Sequence, residues 1–228
     1  VTYMAGSEAA VLIDHTILKP AITNQDVEIK CKEALEYNFA SVCVNPNYVE
    51  FAADKLGDSN VKVCTVIGFP LGENSSETKA FAAKNAVKNG ADEIDMVLNI
   101  GAVKSAAWEV VESDIKAVVK AVKRGTIVKV ILETCYLEEN EIKQAALAAQ
   151  SAGADFVKTS TGFGPYGARV EDVELMTEAV DDEMGIKAAG GIKTLEDVEK
   201  LVDAGATRIG ASSGVEIVEG VKTGEVDY

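Results

Sequence analysis

Three lysines and two aspartates in this sequence share a geometric property. In the run EIDMVLN, Ile94, Met96 and Leu98 fall on one face of a strand and leave Asp95, Val97 and Asn99 on the other, because successive strand side chains point to opposite sides. VKVILE separates Lys129, Ile131 and Glu133 from Val128, Val130 and Leu132. FVKTST separates Phe156, Lys158 and Ser160 from Val157 and Thr159, and IKAAG opposes Lys187 and Ala189 to Ile186 and Ala188. The same alternation puts Asp14 of VLIDHT, and Cys43 with Asn45 of ASVCVN, on the polar parity. If helices cover the apolar parity, three lysines and two aspartates meet inside a closed sheet, where an unpaired charge is costly. A single such lysine reads as a strand-end side chain snorkelling to solvent. A convergent set with compensating signs reads as a functional interior. Buried lysines are candidates for carbonyl chemistry, since an amine attacks a carbonyl only when unprotonated, and a nearby cation with partial desolvation lowers its pKa from about 10.4.

The elements that must position these groups alternate from one end to the other. Short β-branched runs (VLIDHT, ASVCVN, VKVCTVIGF, DEIDMVLN, IVKVILET, DFVKTST, GIKAAG, TRIGAS) are separated by amphipathic stretches such as NQDVEIKCKEALEYN, SAAWEVVESDIKAVVKAVKRG (from Ser105) and TLEDVEKLVDAG, several of which begin at Ser, Thr or Asn and end at Gly. This order predicts a parallel sheet with helical crossovers, and eight such units close an α/β TIM (β/α)8 barrel. A length of 228 residues suits one domain over 1–228, with a short N-terminal segment and a flexible tail over 221–228. With 47% hydrophobic and 26% charged residues the chain can bury a sizeable core. The net charge of −15 argues against nucleic acid and anionic membranes as partners. With no apolar run of membrane-spanning length and no leader pattern at VTYMAGSEAA, a cytoplasmic location is expected. Cys31, Cys43, Cys64 and Cys135 lack metal-ligand spacing, and His15 is the lone histidine, so neither a metal site nor a Ser-His-Asp triad is expected.

The segments IDHTILKP, SVCVNP, GFPLG, GADEIDMVLNIGA, KVILETCYL, ADFVKTSTGF, IKAAGGIKT and RIGASSG resemble, in order and spacing, those of the deoxyribose-phosphate aldolase family over nearly the whole chain. The resemblance implies a metal-free and cofactor-free lyase that reversibly cleaves 2-deoxy-D-ribose 5-phosphate to glyceraldehyde 3-phosphate and acetaldehyde through a lysine Schiff base. It implies Lys158 as the Schiff-base lysine, Lys187 as the second lysine that lowers its pKa, and Asp95 as the proton-transfer group. Gly162, Gly190, Gly191, Ser212 and Ser213 match the phosphate-binding turns, on the loops where TIM barrels often bind phosphate. Asp14 and Lys129 are expected either to position these groups or to touch substrate, and Cys43 either to line the pocket or to act as a small buried hydrophobe. His15 is expected to tie down the loop after the first strand. Tyr228, at the end of the tail, is expected either to reach the barrel mouth as a proton relay or to be a frayed end. Ala189, Lys193 and Phe163 depart from residues common in the family, which leaves Arg169 or Lys193 to supply extra charge to the phosphate. A homodimer is implied as the assembly. The competing readings are a Schiff-base aldolase for another sugar phosphate and a catalytically silent sugar-phosphate-binding barrel.

Overall fold

The computed structural model describes residues 4–182 and 184–221; the expectation for Tyr228 falls outside the described residues. In chain order the elements are α1 (Gly6–Ala10), β1 (Ile13–Ile17), α2 (Asn24–Tyr37), β2 (Ser41–Val44), α3 (Val49–Leu56), β3 (Lys62–Ile67), α4 (Ser76–Lys88), β4 (Glu93–Val97), α5 (Ile100–Lys104) and α6 (Trp108–Ala121). They continue with β5 (Ile127–Ile131), α7 (Glu139–Ser151), β6 (Phe156–Lys158), α8 (Val170–Ala179), β7 (Gly185–Ala189), α9 (Leu195–Asp203), β8 (Arg208–Ala211) and α10 (Gly214–Glu219). Each strand pairs in parallel with the next and β8 pairs with β1, so the sheet is a closed barrel of eight strands. This is the predicted (β/α)8 architecture.

Local chemistry sets the helix boundaries. Thr23 and Thr194 cap α2 and α9 by accepting from the amides of Asp26 and Asp197, and those aspartates bond back to the cap amides. The helix expected from Ser105 starts at Trp108 instead, because Ala106 adopts a left-handed φ of 52° and separates α5 from α6. The helices α1, α5 and α10 span only five or six residues each, less than two turns, too short for a helical period to show in the sequence. The strands are shorter than the alternating runs, and β6 keeps only Phe156–Lys158.

The parity holds in three dimensions. Ile94, Met96, Leu98, Val128, Val130, Val157, Ile186 and Ala188 are buried in the layer between sheet and helices. Cys43, Cys64 and Val66 form a separate apolar cluster with Leu18, against which Phe69 packs. A buried ion pair anchors the outer layer where β4 ends: Lys79 of α4 reaches Asp114 of α6 at 2.6 Å and donates to the Val97 carbonyl at 3.0 Å. Breaking such a pair leaves an uncompensated buried charge, so it locks α4 and α6 to the strand that carries Asp95.

Candidate active site

The strand register brings the predicted interior charges into one cluster. Lys129 lies beside Asp95 across β4 and β5, and Lys158 beside Lys187 across β6 and β7. Asp95 Oδ2 accepts from Lys158 Nζ at 2.8 Å and from Lys187 Nζ at 2.7 Å, while Oδ1 accepts from Lys129 Nζ at 2.9 Å and from the Cys64 thiol at 3.3 Å. One carboxylate therefore gathers all three lysines. Asp14 on β1 stands 2.5 Å from Lys187 Nζ and accepts from Ser41 at 2.7 Å. On the same strand pairing, Gly210 of β8 leaves room for the Lys187 stem, since a Cβ there would lie 3.1 Å from Cε. Below them, Glu93 accepts from Lys129 at 2.5 Å, and Arg208 Nη1 donates to Asp14 at 2.8 Å and to Glu93 at 3.0 Å.

Glu93, Arg208 and Cys64 were missed by the sequence reading. Carrying the alternation two residues back from Asp95 reaches Glu93, and two back from Gly210 reaches Arg208. That signal was available, but charges at strand beginnings look like ordinary solvent-facing ends. Glu133, in contrast, leaves the inward set. The strand stops at Ile131, Glu133 takes a left-handed φ of 56°, and its carboxylate turns to the Thr161 amide at 2.9 Å and hydroxyl at 2.5 Å. His15 is a second correction. Its ring bonds Glu33 of α2 at 2.6 Å and packs at a tilt of 47° against Phe39, so it ties strand to helix rather than holding a loop.

Electrostatics in the cluster are dominated by mutual compensation. Burial alone would raise the carboxyl of Asp14, but Lys187, Lys129 and Arg208 outweigh it and hold it well below the usual range. Asp95 behaves likewise, with Lys129, Lys158 and Lys187 outweighing burial. Burial disfavours the ammonium of Lys187, yet Asp14 and Asp95 raise its pKa; for Lys129, Asp95 heads the same list of opposing groups. The carboxylates are depressed relative to their unfolded value of 3.8, so their stability contribution is present above that value and is lost as pH falls below it. The two lysines are raised, so theirs is complete below 10.5 and is lost as pH rises beyond it. The thermal midpoint should accordingly be level from about pH 7 to about pH 10, decline below that range as His15, whose pKa burial lowers from 6.5, takes up a proton on unfolding, and fall further once the carboxylates titrate. Calorimetry across that range checks this, and a steady decline between about pH 9 and pH 7 would show that other groups dominate.

A cavity of about 440 Å³ opens above the cluster at the C-terminal ends of the strands. Among the interior lysines only Lys158 lines it, with 3% of its surface exposed against 0% for Lys129 and Lys187. Gly162, Gly190, Ser212, Ser213 and Lys193 also line the cavity, whereas Gly191 does not. Ser213 is the N-cap of α10 yet makes no side-chain capping bond, so its hydroxyl is uncommitted to the helix. Cys43 is fully buried beside Cys64 and takes no part in the lining. Of the two cations considered for the phosphate, Lys193 is on the wall, while Arg169 stacks on the Tyr166 ring at 3.4 Å.

Among the described residues, Cys43, Cys64 and Asp95, and likewise Asp14, Cys64 and Glu93, bring ligand-type atoms within 4.8 Å of one another. In both sets the carboxylates already carry lysine or arginine partners, so a metal cation would compete with resident positive charge. What the arrangement offers is one accessible amine over a carboxylate shared with two buried ammonium groups.

Residues 8–224 match the model of the DeoC/LacD family of aldolases. The chain belongs to that family. It is a class I, Schiff-base carbon–carbon lyase. The chain is 57% identical over 222 residues to the deoxyribose-phosphate aldolase of an Exiguobacterium species, covering 97% of this chain and 100% of that one. It is 58% identical over 212 residues to that of a Thermoanaerobacter species, covering 92% and 95%. Among solved structures, the deoxyribose phosphate aldolase of Aeropyrum pernix, described as a tetramer, superposes with a TM-score of 0.86 at 37% identity over 94% of this chain and 91% of that one. Among the described residues, no helix of this aldolase is long and apolar enough to cross a membrane.

Proposed function

We propose that this aldolase reversibly cleaves 2-deoxy-D-ribose 5-phosphate to D-glyceraldehyde 3-phosphate and acetaldehyde, with Lys158 as the Schiff-base lysine. The observation that carries the assignment is that Lys158 alone among the interior lysines lines the cavity. Its amine attacks C1 of the open-chain sugar, water leaves, and the resulting iminium accepts electrons from the C2–C3 bond as the C3 hydroxyl loses its proton. Glyceraldehyde 3-phosphate departs, the enamine carbon is protonated, and water releases acetaldehyde. Asp95, 2.8 Å from Lys158 Nζ, is the proton-transfer group, acting directly or through a water. Lys187, bonded to the same carboxylate oxygen, is a fixed cation that favours the neutral amine of Lys158. Asp14 and Lys129 do not line the cavity, and we assign them to positioning rather than to substrate contact.

The substrate phosphate is assigned to the amides of Gly162 and Gly190, the hydroxyls of Ser212 and Ser213, and the ammonium of Lys193. Gly190 has a φ of 89°, and a Cβ on Gly167 would stand 2.1 Å from its carbonyl, so this turn depends on closely packed glycine backbone. Replacing Ser212 and Ser213 together by Ala should raise KM for the phosphorylated sugar by about tenfold, the loss of one or two charge-assisted hydrogen bonds. Unphosphorylated deoxyribose should be cleaved with kcat/KM nearly unchanged. Equal losses on both sugars would remove the serines from the phosphate site. Comparing cleavage of deoxyribose 5-phosphate with that of fructose phosphates tests the substrate itself. The proposal includes one domain, a cytoplasmic enzyme and a homodimer; sedimentation equilibrium separates a dimer from the tetramer described for Aeropyrum pernix.

A further inference from the structure

We propose that Arg208 and Glu93, at the floor of the barrel and remote from the cavity, are positioning residues that set the protonation of Lys158 by fixing the charge balance of the buried cluster. The inference rests on the reading of Lys158 as the nucleophile. Among the described residues, the ion-paired cluster holds four cations, Lys129, Lys158, Lys187 and Arg208, against three carboxylates, Asp14, Glu93 and Asp95. With every group ionised the cluster carries one surplus positive charge in a site where Asp14, Asp95, Lys129 and Lys187 are 0% exposed. A net charge buried this deeply is unfavourable, and release of a single proton to solvent removes it.

The partners decide which group gives up that proton. Lys129 touches Glu93 at 2.5 Å and Asp95 at 2.9 Å, and Lys187 touches Asp14 at 2.5 Å and Asp95 at 2.7 Å. Arg208 bonds Asp14 and Glu93, and a guanidinium does not deprotonate in a protein. Lys158 has Asp95 Oδ2 alone, shared with Lys187, and it faces the cavity through which a proton can leave. The proton therefore leaves Lys158, giving the neutral amine that attacks a carbonyl, while the other cations stay paired.

The remaining ionisable neighbours do not alter the count. Cys64, facing inward from β3, donates its thiol to Asp95 and burial pushes its pKa up; Cys43 on β2, whose pKa is lowered by its hydrogen bond with Cys64, is common to every variant and leaves their order unchanged; Glu133 is committed to Thr161. Lys19, Asp26, Lys30, Lys193 and Glu216 stand on the cavity wall above the cluster.

Arg208 and Glu93 enter this balance with opposite signs. Arg208→Met removes the surplus, so protonated Lys158 becomes the neutral state of the cluster and its pKa rises. Glu93→Gln doubles the surplus, so the pKa falls. The double variant restores the original count.

The test is the pH dependence of borohydride trapping of acetaldehyde, with the adduct mapped by mass spectrometry and folding followed by circular dichroism. Relative to the unmutated enzyme, Arg208→Met should move the profile to higher pH by about one unit, Glu93→Gln to lower pH by about one unit, and the double variant should return it close to the start. Arg208→Lys, which keeps the charge, should leave the profile in place. Shifts in the same direction, absent shifts in folded variants, or a displaced profile in Arg208→Lys would overturn the proposal. If Arg208→Met does not fold, a Glu93→Gln profile that stays put is sufficient to overturn it. An adduct on a lysine other than Lys158 in the unmutated enzyme would instead remove the nucleophile assignment, which is read before any variant is made.

Discussion

Replacing Lys158 by Ala should abolish the borohydride-trapped adduct and lower kcat on the order of 10⁴-fold or more, the largest loss expected of any single change in this enzyme. No other interior amine can substitute in place. Lys187 and Lys129 are fully buried, each held by at least two carboxylates, and neither lines the cavity. Stability should change little, because Lys158 touches Asp95 alone within the cluster, at its open end, and Asp95 keeps Lys129 and Lys187 as partners. The measurement is peptide mapping after reduction with acetaldehyde, together with turnover and calorimetry on the same preparation. Retention of a reducible adduct at Lys187 would reverse the roles assigned to the two lysines.

Asp95→Asn should separate two functions of one side chain. Proton transfer at the C3 hydroxyl and the enamine carbon needs a group that accepts and returns a proton, so kcat should fall on the order of 10²–10⁴-fold. Imine formation should respond differently. Removing a carboxylate from a cluster with more cations than anions favours the neutral amine, so trapping at Lys158 should persist and extend to lower pH. The same change leaves three lysines short of a shared partner and should destabilise the fold by about 3–5 kcal/mol, the cost of breaking a buried ion pair. Single-turnover trapping, steady-state cleavage and thermal unfolding together read these effects. Parallel loss of trapping and turnover would show that Asp95 serves only to hold Lys158 in place.

The barrel and the inward set of charges were legible in the sequence because both depend on local rules. Strand side chains alternate with a period of two, so the apolar Ile94, Met96 and Leu98 identify the opposite parity of Asp95 without any knowledge of the fold. Alternation of β-branched runs with capped helices restricts the connection to parallel crossovers. The motifs around Lys158 and Lys187 identified the family, and with it the chemistry, from residue types alone. Local rules stop where the strands stop. Glu133 shares the parity of Lys129 but lies past the end of β5, where a left-handed backbone turns it to Thr161. Parity also treats Lys129, Lys158 and Lys187 as equivalent, since it specifies direction and not depth. Closure of the barrel ranks them: the register sets Lys129 beside Asp95 and Arg208 beside Lys187, and leaves Lys158 at the open end. Glu93 and Arg208, read singly as strand-end charges, become part of the site because strands far apart in the chain meet at the floor of the barrel. The sequence determines which way each charged side chain points; which charges compensate one another, and which amine is left to react, depends on long-range packing that brings β5, β6 and β7 to Asp95 of β4, and β7 and β8 to Asp14 of β1.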